Sequence, residues 1–150
     1  MTPSRHGSFG FGPIAAALTL SIVTAAVPAA PAQTSASARD GVFSKEQVAR
    51  GRAAYNTQCA RCHGETLGGG ENSPALVDDV FFTFWNGKTV GDLVEYTRTM
   101  MPSDGPGRIT RKRCIDIAAY LLSANGFPAG DTEFPTELAA LTQITITRTK

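Results

Sequence analysis

The stretch Cys59-Ala60-Arg61-Cys62-His63 decides the fold of this 150-residue chain. Its spacing, C-x-x-C-H, is the signature by which c-type haem is attached to a protein. Two thiols one helical turn apart can form thioether bonds with the two vinyl groups on one edge of a porphyrin. The imidazole that follows directly can then bind the iron. We therefore predict that Cys59 and Cys62 hold one haem c covalently and that His63 is an axial ligand of its iron.

The remaining histidines and methionines narrow the choice of the other axial ligand. His6 is the only other histidine, and it lies in a segment that we expect to be removed. Apart from the initiator, the methionines are Met100 and Met101, directly before Pro102. Ligation by one histidine and one methionine is a known arrangement of c-type haem iron and raises its potential. The sequence thus predicts His/Met ligation with two candidate methionines.

Pro102 favours Met101 over Met100 as that ligand. A proline disfavours helical backbone in the residue before it, so Met101 should end a helix in an extended conformation and turn its side chain away. Helix phase alone does not separate the two methionines, and either could simply fill a gap in the core. Met100 stays the alternative at this point.

Two other uses of a C-x-x-C pair fit this sequence less well. A thioredoxin-like pair belongs to a βαβ context, which the pattern lacks, and it does not explain the adjacent histidine. A structural zinc site needs further Cys or His ligands, and beyond the motif the chain after residue 32 offers only Cys114. Cys114 shares a predicted helix face with apolar residues, so we predict that it is a small core residue.

The first 32 residues have the pattern of a secretory signal peptide. Arg5 supplies the positive start, residues 14–27 form a short apolar run, and small residues at 30–32 offer a cleavage site. A membrane anchor is the alternative, but the run is short for a span and prolines close it. We expect export to the periplasm, removal of residues 1–32 and no membrane span in the mature protein.

The rest of the chain is small and nearly neutral. With 14 basic and 13 acidic residues in the full sequence, the charge balance gives no support for nucleic-acid binding or attachment to a membrane surface. A covalently held haem would add apolar surface to a modest core. We predict a flexible Ser/Ala-rich leader (33–41), a haem-binding domain (42–130) and a C-terminal extension (131–150).

Capping residues and apolar spacing predict an all-α fold with three main helices. Ser44 and Gln47 form a capping box at the start of the first helix. Thr89 and Thr110 cap the second and third helices. The aromatic cluster at residues 81–85 is assigned to no helix, and the tail has one helical turn. The predicted helices run from Ser44 toward Cys59, from Val90 to about Thr99 and from Thr110 through Ala124, with the tail turn at 138–141.

From about residue 43 to residue 130, the sequence resembles class I monohaem cytochromes c. It is similar to the small cytochromes and cytochrome domains found alongside bacterial quinoprotein dehydrogenases. The resemblance implies the class I fold, with its first and last helices crossing where Gly51 and Tyr55 meet Ile117 and Tyr120. Besides the haem motif, the residues that carry it are Gly51, Tyr55, Pro74-Ala75-Leu76, Trp85, Met101-Pro102 and the run Asp116–Leu121.

The resemblance also implies roles for residues around the haem. The carbonyl of Pro74 would accept a hydrogen bond from the second ring nitrogen of His63 and so set the imidazole tautomer, although a simple turn residue is the alternative. Trp85 would lie partly in the core, with its indole N–H near a haem propionate. The family's Met-Pro pair matches Met101.

These predictions indicate an electron carrier rather than an enzyme. With both axial positions filled, the iron has no open site for a substrate, so the protein holds the haem and sets its potential. We predict a soluble periplasmic cytochrome that carries single electrons from a dehydrogenase, such as a quinoprotein dehydrogenase, to a terminal acceptor. The alternatives are a cytochrome subunit of a larger dehydrogenase, docked through the tail after Gly130, and a haem enzyme or gas sensor with a labile sixth ligand.

Overall fold

The structure, a computed structural model, describes residues 35–148 together with Met1, Thr2 and Gly7. The chain divides into two units, residues 1–31 and 32–150, and apart from those three residues the predicted signal peptide lies outside the described part. No helix in the described part is both long and apolar enough to cross a membrane. The elements are β1 (Ala36–Ser37), α1 (Lys45–Gln58), α2 (Ala60–His63), α3 (Asp78–Trp85), α4 (Val90–Met100), α5 (Arg111–Ala124), α6 (Leu138–Leu141) and β2 (Ile144–Thr145).

The fold is all-α, as predicted, and its largest packing interface joins α1 to α5. The rings of Tyr55 on α1 and Tyr120 on α5 lie 5.4 Å apart between their centroids. Gly51 also faces α5, where the absence of a side chain lets the two backbones approach closely. Since α1 ends directly before Cys59, this crossing positions the cysteine motif against the core.

The N-terminal cap of α1 forms only half of the predicted capping box. The amide of Gln47 donates to Oγ of Ser44 at 3.1 Å, as expected. The side-chain oxygen of Gln47, however, accepts a hydrogen bond from the amide of Phe134 at 2.8 Å instead of serving the helix start. Gln47 is buried, and its side-chain amide binds the tail rather than completing the capping box.

Helix α3 was not predicted from the sequence. It places Phe81 and Trp85 one turn apart on a buried face, while Phe84 between them is exposed. No side-chain cap marks its start at Val77, so the local signals that identified the other helices are missing. Its apolar face is what holds it against the rest of the domain.

Residues 35–41 differ from the flexible leader that their composition predicts. Strand β1 pairs in parallel with β2, with Ala36 opposite Ile144, and the side chain of Ala38 is fully buried. The tail also packs on the same domain, because the rings of Phe43 and Phe134 lie 5.3 Å apart. Four apolar side chains of the C-terminal extension are thus buried, namely those of Phe134, Leu141, Ile144 and Ile146.

The end of the tail fixes the turn between α3 and α4. The amide of Ile146 donates to the carbonyl of Lys88 at 2.8 Å, and the amide of Gly87 donates to the carbonyl of Ile146 at the same distance. Arg148 adds an ion pair with Asp79 at 2.6 Å. This turn directly follows Trp85, so the tail supports one wall of the site described next.

Candidate functional site

One cavity of about 540 Å³ brings together all the residues that the sequence analysis assigns to the site. This volume falls within the range of about 300–1,000 Å³ that is usual for cofactor pockets. Apolar side chains of α3, α4 and α5 form much of the remaining wall, among them Phe81, Leu93, Ile117 and Leu121. The predicted site residues on its wall are Cys59, Cys62, His63, Pro74, Trp85 and Met101.

The two cysteines lie at the break between α1 and α2. Cys59 is the single residue between α1 and α2, with φ −124° and ψ −35°. Its amide donates to the carbonyl of Tyr55 at 2.8 Å. Both cysteines are free thiols, Cys59 half-buried and Cys62 exposed. Burial raises the pKa of the Cys59 thiol to about 11, so this sulfur is protonated at neutral pH. Two thiols on one cavity wall can anchor one edge of a planar ring.

The imidazole of His63 is oriented by Pro74. Nδ1 of His63 lies 2.9 Å from the carbonyl oxygen of Pro74. Because a carbonyl oxygen can only accept, Nδ1 carries the proton and Nε2 keeps its lone pair, which is the form that binds a metal. The structure therefore brings together the two residues that the resemblance pairs.

The glycine-rich loop between α2 and α3 returns Pro74 to the imidazole. Gly69 in this loop has φ +83°, and a Cβ there would lie 2.7 Å from the carbonyl oxygen of Ser73. The amide of Gly69 donates to the carbonyl of His63 at 2.9 Å. A positive φ and so close a backbone approach require glycine, so this residue sets the path that places the Pro74 carbonyl.

The two candidate methionines have different surroundings. Met101 ends α4 in extended backbone, with φ −121° and ψ 149°, as a residue before proline should. It lies on the cavity wall. Met100, in contrast, is 53% exposed and is not part of that wall. This placement supports Met101 as the methionine that faces the site.

Trp85 connects the cavity to the turn that the tail supports. Its side chain is 9% exposed, and its ring meets Tyr96 edge to face with centroids 5.6 Å apart. Nζ of Lys88 lies 5.2 Å from the centre of the indole. Trp85 lines the cavity, and no acceptor within residues 35–148 takes its indole N–H.

Sequence reasoning missed the charged rim of the cavity, which comprises Arg61, Lys88 and Asp104. Nη2 of Arg61 lies 2.5 Å from Oδ2 of Asp104. The position of Arg61 inside the motif was visible in the sequence, but its partner lies 43 residues away along the chain. No local pattern could have paired them.

The donor set on the cavity wall fits a covalently attached haem. It combines two thiols, an imidazole whose Nε2 is free to coordinate and a thioether, beside apolar walls that suit a porphyrin face. A zinc site would need further ligands, and residues 35–148 contain no group of three or more His, Cys, Asp or Glu side chains able to hold a metal ion. The arrangement is suited to one-electron redox chemistry.

Comparison with known proteins also indicates a cytochrome c domain. The family described as Cytochrome C oxidase, cbb3-type, subunit III matches residues 46–121, a range that includes the cysteine motif and Met101. The cbb3-type cytochrome c oxidase subunit CcoP of Azospirillum sp. (strain B510) is 34% identical over 94 residues, covering 53% of this chain and 31% of that protein. The chain thus spans about a third of the length of this relative.

Among solved structures, the fold is similar to one in the crystal structure of the sulfane dehydrogenase SoxCD from Paracoccus pantotrophus. The TM-score is 0.48 and the sequence identity is 22%. The alignment covers 71% of this chain and 60% of that chain.

Proposed function

Because this chain belongs to the cytochrome c family of cbb3-type oxidase subunit III, we propose that it carries single electrons between redox proteins in the periplasm. Its fold is that of a class I monohaem cytochrome, and its haem c is bound covalently. We further propose that Cys59 and Cys62 form the thioether bonds and that His63 and Met101 are the axial ligands.

The observation that carries this proposal is the shared cavity of His63 and Met101. The lining of one cavity includes an imidazole with its Nε2 free, a thioether and both motif thiols. Two axial donors leave no coordination position for a substrate, which favours electron transfer over catalysis at the iron.

When bound, the haem supplies a reversible Fe(III)/Fe(II) couple. The residues of this chain set the conditions for that couple. The Pro74 carbonyl holds the proton on Nδ1 of His63 and so keeps Nε2 available. The thioether of Met101 favours the reduced state, and the apolar walls limit access of water. The free N–H of Trp85 is available to bind a carboxylate at the cavity.

The physiological partners that we propose are a redox protein donor, with a quinoprotein dehydrogenase as the candidate class, and a terminal acceptor. A permanent place in a larger complex is the second candidate, and it is favoured by the similarity to CcoP, which is a subunit of an oxidase. The packing of the apolar tail on its own domain argues against the tail as the attachment point, since Leu141 and Ile146 are fully buried.

Carbon monoxide binding and a redox titration of the purified holoprotein test this function together. The titration should give one reversible one-electron step, and ferrous protein should bind carbon monoxide only slowly or weakly because Met101 occupies the sixth position. Rapid formation of a stoichiometric carbon monoxide adduct would instead support a haem enzyme or gas sensor. Co-purification of the untagged protein with a dehydrogenase would favour the second candidate, a permanent subunit of a larger complex.

The proposed export is tested by the intact mass of protein from the periplasmic fraction. Cleavage before Gln33 and the attachment of one haem should both be visible in a single mass under denaturing conditions, because thioether bonds survive unfolding. A mass that retains residues 1–32, or one without haem, would contradict the export or the covalent attachment respectively.

A further inference from the structure

We propose that Asp104 is a positioning residue that holds the segment carrying Met101 against the helix carrying His63. Residues 101–109, which connect α4 to α5, are called the methionine loop below. The proposal rests on the proposed function, because it takes Met101 as the axial ligand. It predicts that the Arg61–Asp104 ion pair controls how readily Met101 leaves its position.

The methionine loop is anchored mainly at its two ends. The amide of Met101 donates to the carbonyl of Thr97 at 3.3 Å, and Ile109 is buried at the other end. Between them the backbone hydrogen bonds are local turns, such as the amide of Gly105 to the carbonyl of Pro102 at 2.9 Å. A segment with few buried side chains and local hydrogen bonds opens at low free-energy cost.

Asp104 provides the cross-link from the middle of this loop. Its Oδ2 lies 2.5 Å from Nη2 of Arg61 on α2, and its Oδ1 lies 3.2 Å from Nη1 of Arg108 within the loop. Across residues 35–148, the bond to Arg61 is the only hydrogen bond or ion pair between α2 and the methionine loop. A charge-assisted bond of this kind is stronger than one between neutral groups.

The cross-link joins the two segments that supply the axial ligands. Arg61 precedes His63 by two residues, Asp104 follows Met101 by three, and all four residues lie on the wall of the same cavity. Opening of the whole methionine loop therefore includes loss of the Arg61–Asp104 bond, so this bond favours the arrangement in which Met101 faces the site.

The expected effect is modest because the pair is exposed. The side chains of Arg61 and Asp104 are 77% and 46% exposed, and exposed pairs change an equilibrium by about two- to fivefold. Screening by salt should weaken the pair further. A ligand-exchange equilibrium can resolve a change of this size.

The experiment is a titration of ferric holoprotein with imidazole, followed by loss of the iron–methionine charge-transfer band. Asp104→Asn should bind imidazole about two- to fivefold more tightly than wild type. Raising the ionic strength should bring the affinity of wild type toward that of the variant and leave the variant unchanged. Arg61→Gln should behave like Asp104→Asn, and the double variant should show no further increase.

Glu95→Gln is the matched control for this experiment. Like Asp104, Glu95 forms ion pairs with two arginines, here Arg98 and Arg111. Glu95→Gln changes the net charge by the same amount as Asp104→Asn. No hydrogen bond or ion pair joins Glu95 to residues 101–109, because its partners are Arg98 and Arg111, so imidazole affinity should stay at the wild-type value.

The outcomes separate this inference from the proposed function. A wild-type holoprotein without the iron–methionine band would overturn Met101 ligation and, with it, this proposal. A wild type that shows the band, together with Asp104→Asn and Arg61→Gln proteins that bind imidazole as wild type does, would overturn the positioning role alone. Equal increases in Asp104→Asn and Glu95→Gln would also overturn it, because they would reflect net charge only.

Discussion

Gly51 on α1 lies directly against the carbonyl oxygen of Asp116 on α5, and a Cβ added to Gly51 would stand 1.8 Å from that oxygen. The carboxylate of the same Asp116 accepts a hydrogen bond from Nη2 of Arg50 at 3.0 Å, and its side chain is 7% exposed. Backbone contact and ion pair therefore fix the helix crossing at one point. Because α1 leads into Cys59, this crossing also sets the position of the haem motif.

Gly51→Ala should strongly destabilise the holoprotein. The new methyl group cannot be accommodated without separating α1 from α5, and overpacking of this severity costs about 3 kcal/mol or more. The free energy of unfolding, measured by denaturant titration, checks this. Ala53→Ser on the exposed side of α1 is the control and should change that free energy by about 0.5 kcal/mol or less. Equal stability of the Gly51→Ala and wild-type proteins would refute the close crossing.

Met101→Ala should abolish the iron–methionine charge-transfer band of the ferric protein and lower its reduction potential, because a thioether ligand favours Fe(II). Met100→Ala should leave both unchanged, since Met100 is 53% exposed and lies off the cavity wall. Optical spectra and redox titrations of the two variants decide the assignment. The reverse pattern would assign the ligand to Met100.

Gly69→Ala should shift the reduction potential without removing the methionine band. A Cβ at Gly69 would lie 2.7 Å from the carbonyl oxygen of Ser73, so the loop must move and carry the Pro74 carbonyl away from Nδ1 of His63. Weakening that hydrogen bond lowers the basicity of the imidazole. Gly68→Ala is the neighbouring control, because a Cβ there would meet nothing closer than 3.6 Å. Identical potentials in the two variants would show that the loop path does not tune His63.

Cys114 should make the stability of the protein fall at alkaline pH. Burial raises the pKa of its thiol from an ordinary value of 9.0 to about 11. Between these values the unfolded chain loses the thiol proton while the folded protein keeps it, so the free energy of unfolding decreases as pH rises. The loss should reach about 2 kcal/mol near pH 11.

Cys114→Ala should remove this contribution to the pH dependence of the free energy of unfolding, measured by denaturant titrations between pH 8 and pH 11. The pKa of Tyr55 is also raised by burial, but that tyrosine is present in both proteins, so its contribution cancels in the comparison. Parallel curves for wild type and variant would contradict a protonated, buried thiol.

The features that could be predicted from the sequence are those that depend on neighbouring residues. The starts of α1, α4 and α5 follow from capping hydroxyls, since Ser44, Thr89 and Thr110 each accept a hydrogen bond from an amide three residues later. The extended backbone of Met101 follows from Pro102 alone. Each of these effects acts within one helical turn, so a short stretch of sequence contains all the information.

By itself, the sequence determined that the chain has the C-x-x-C-H motif, one histidine and two adjacent methionines after residue 32, and an all-α pattern. The tertiary structure placed Met101, which Pro102 already favoured, on the wall of the cavity. It alone decided that Gln47 binds the tail at Phe134, that β1 pairs with β2, and that Arg61 meets Asp104. The partners in these contacts are tens of residues apart, and the free energy that joins them comes from burial and closure of the whole chain. No local propensity encodes such a distance, which is why these contacts appear only once the helices have packed.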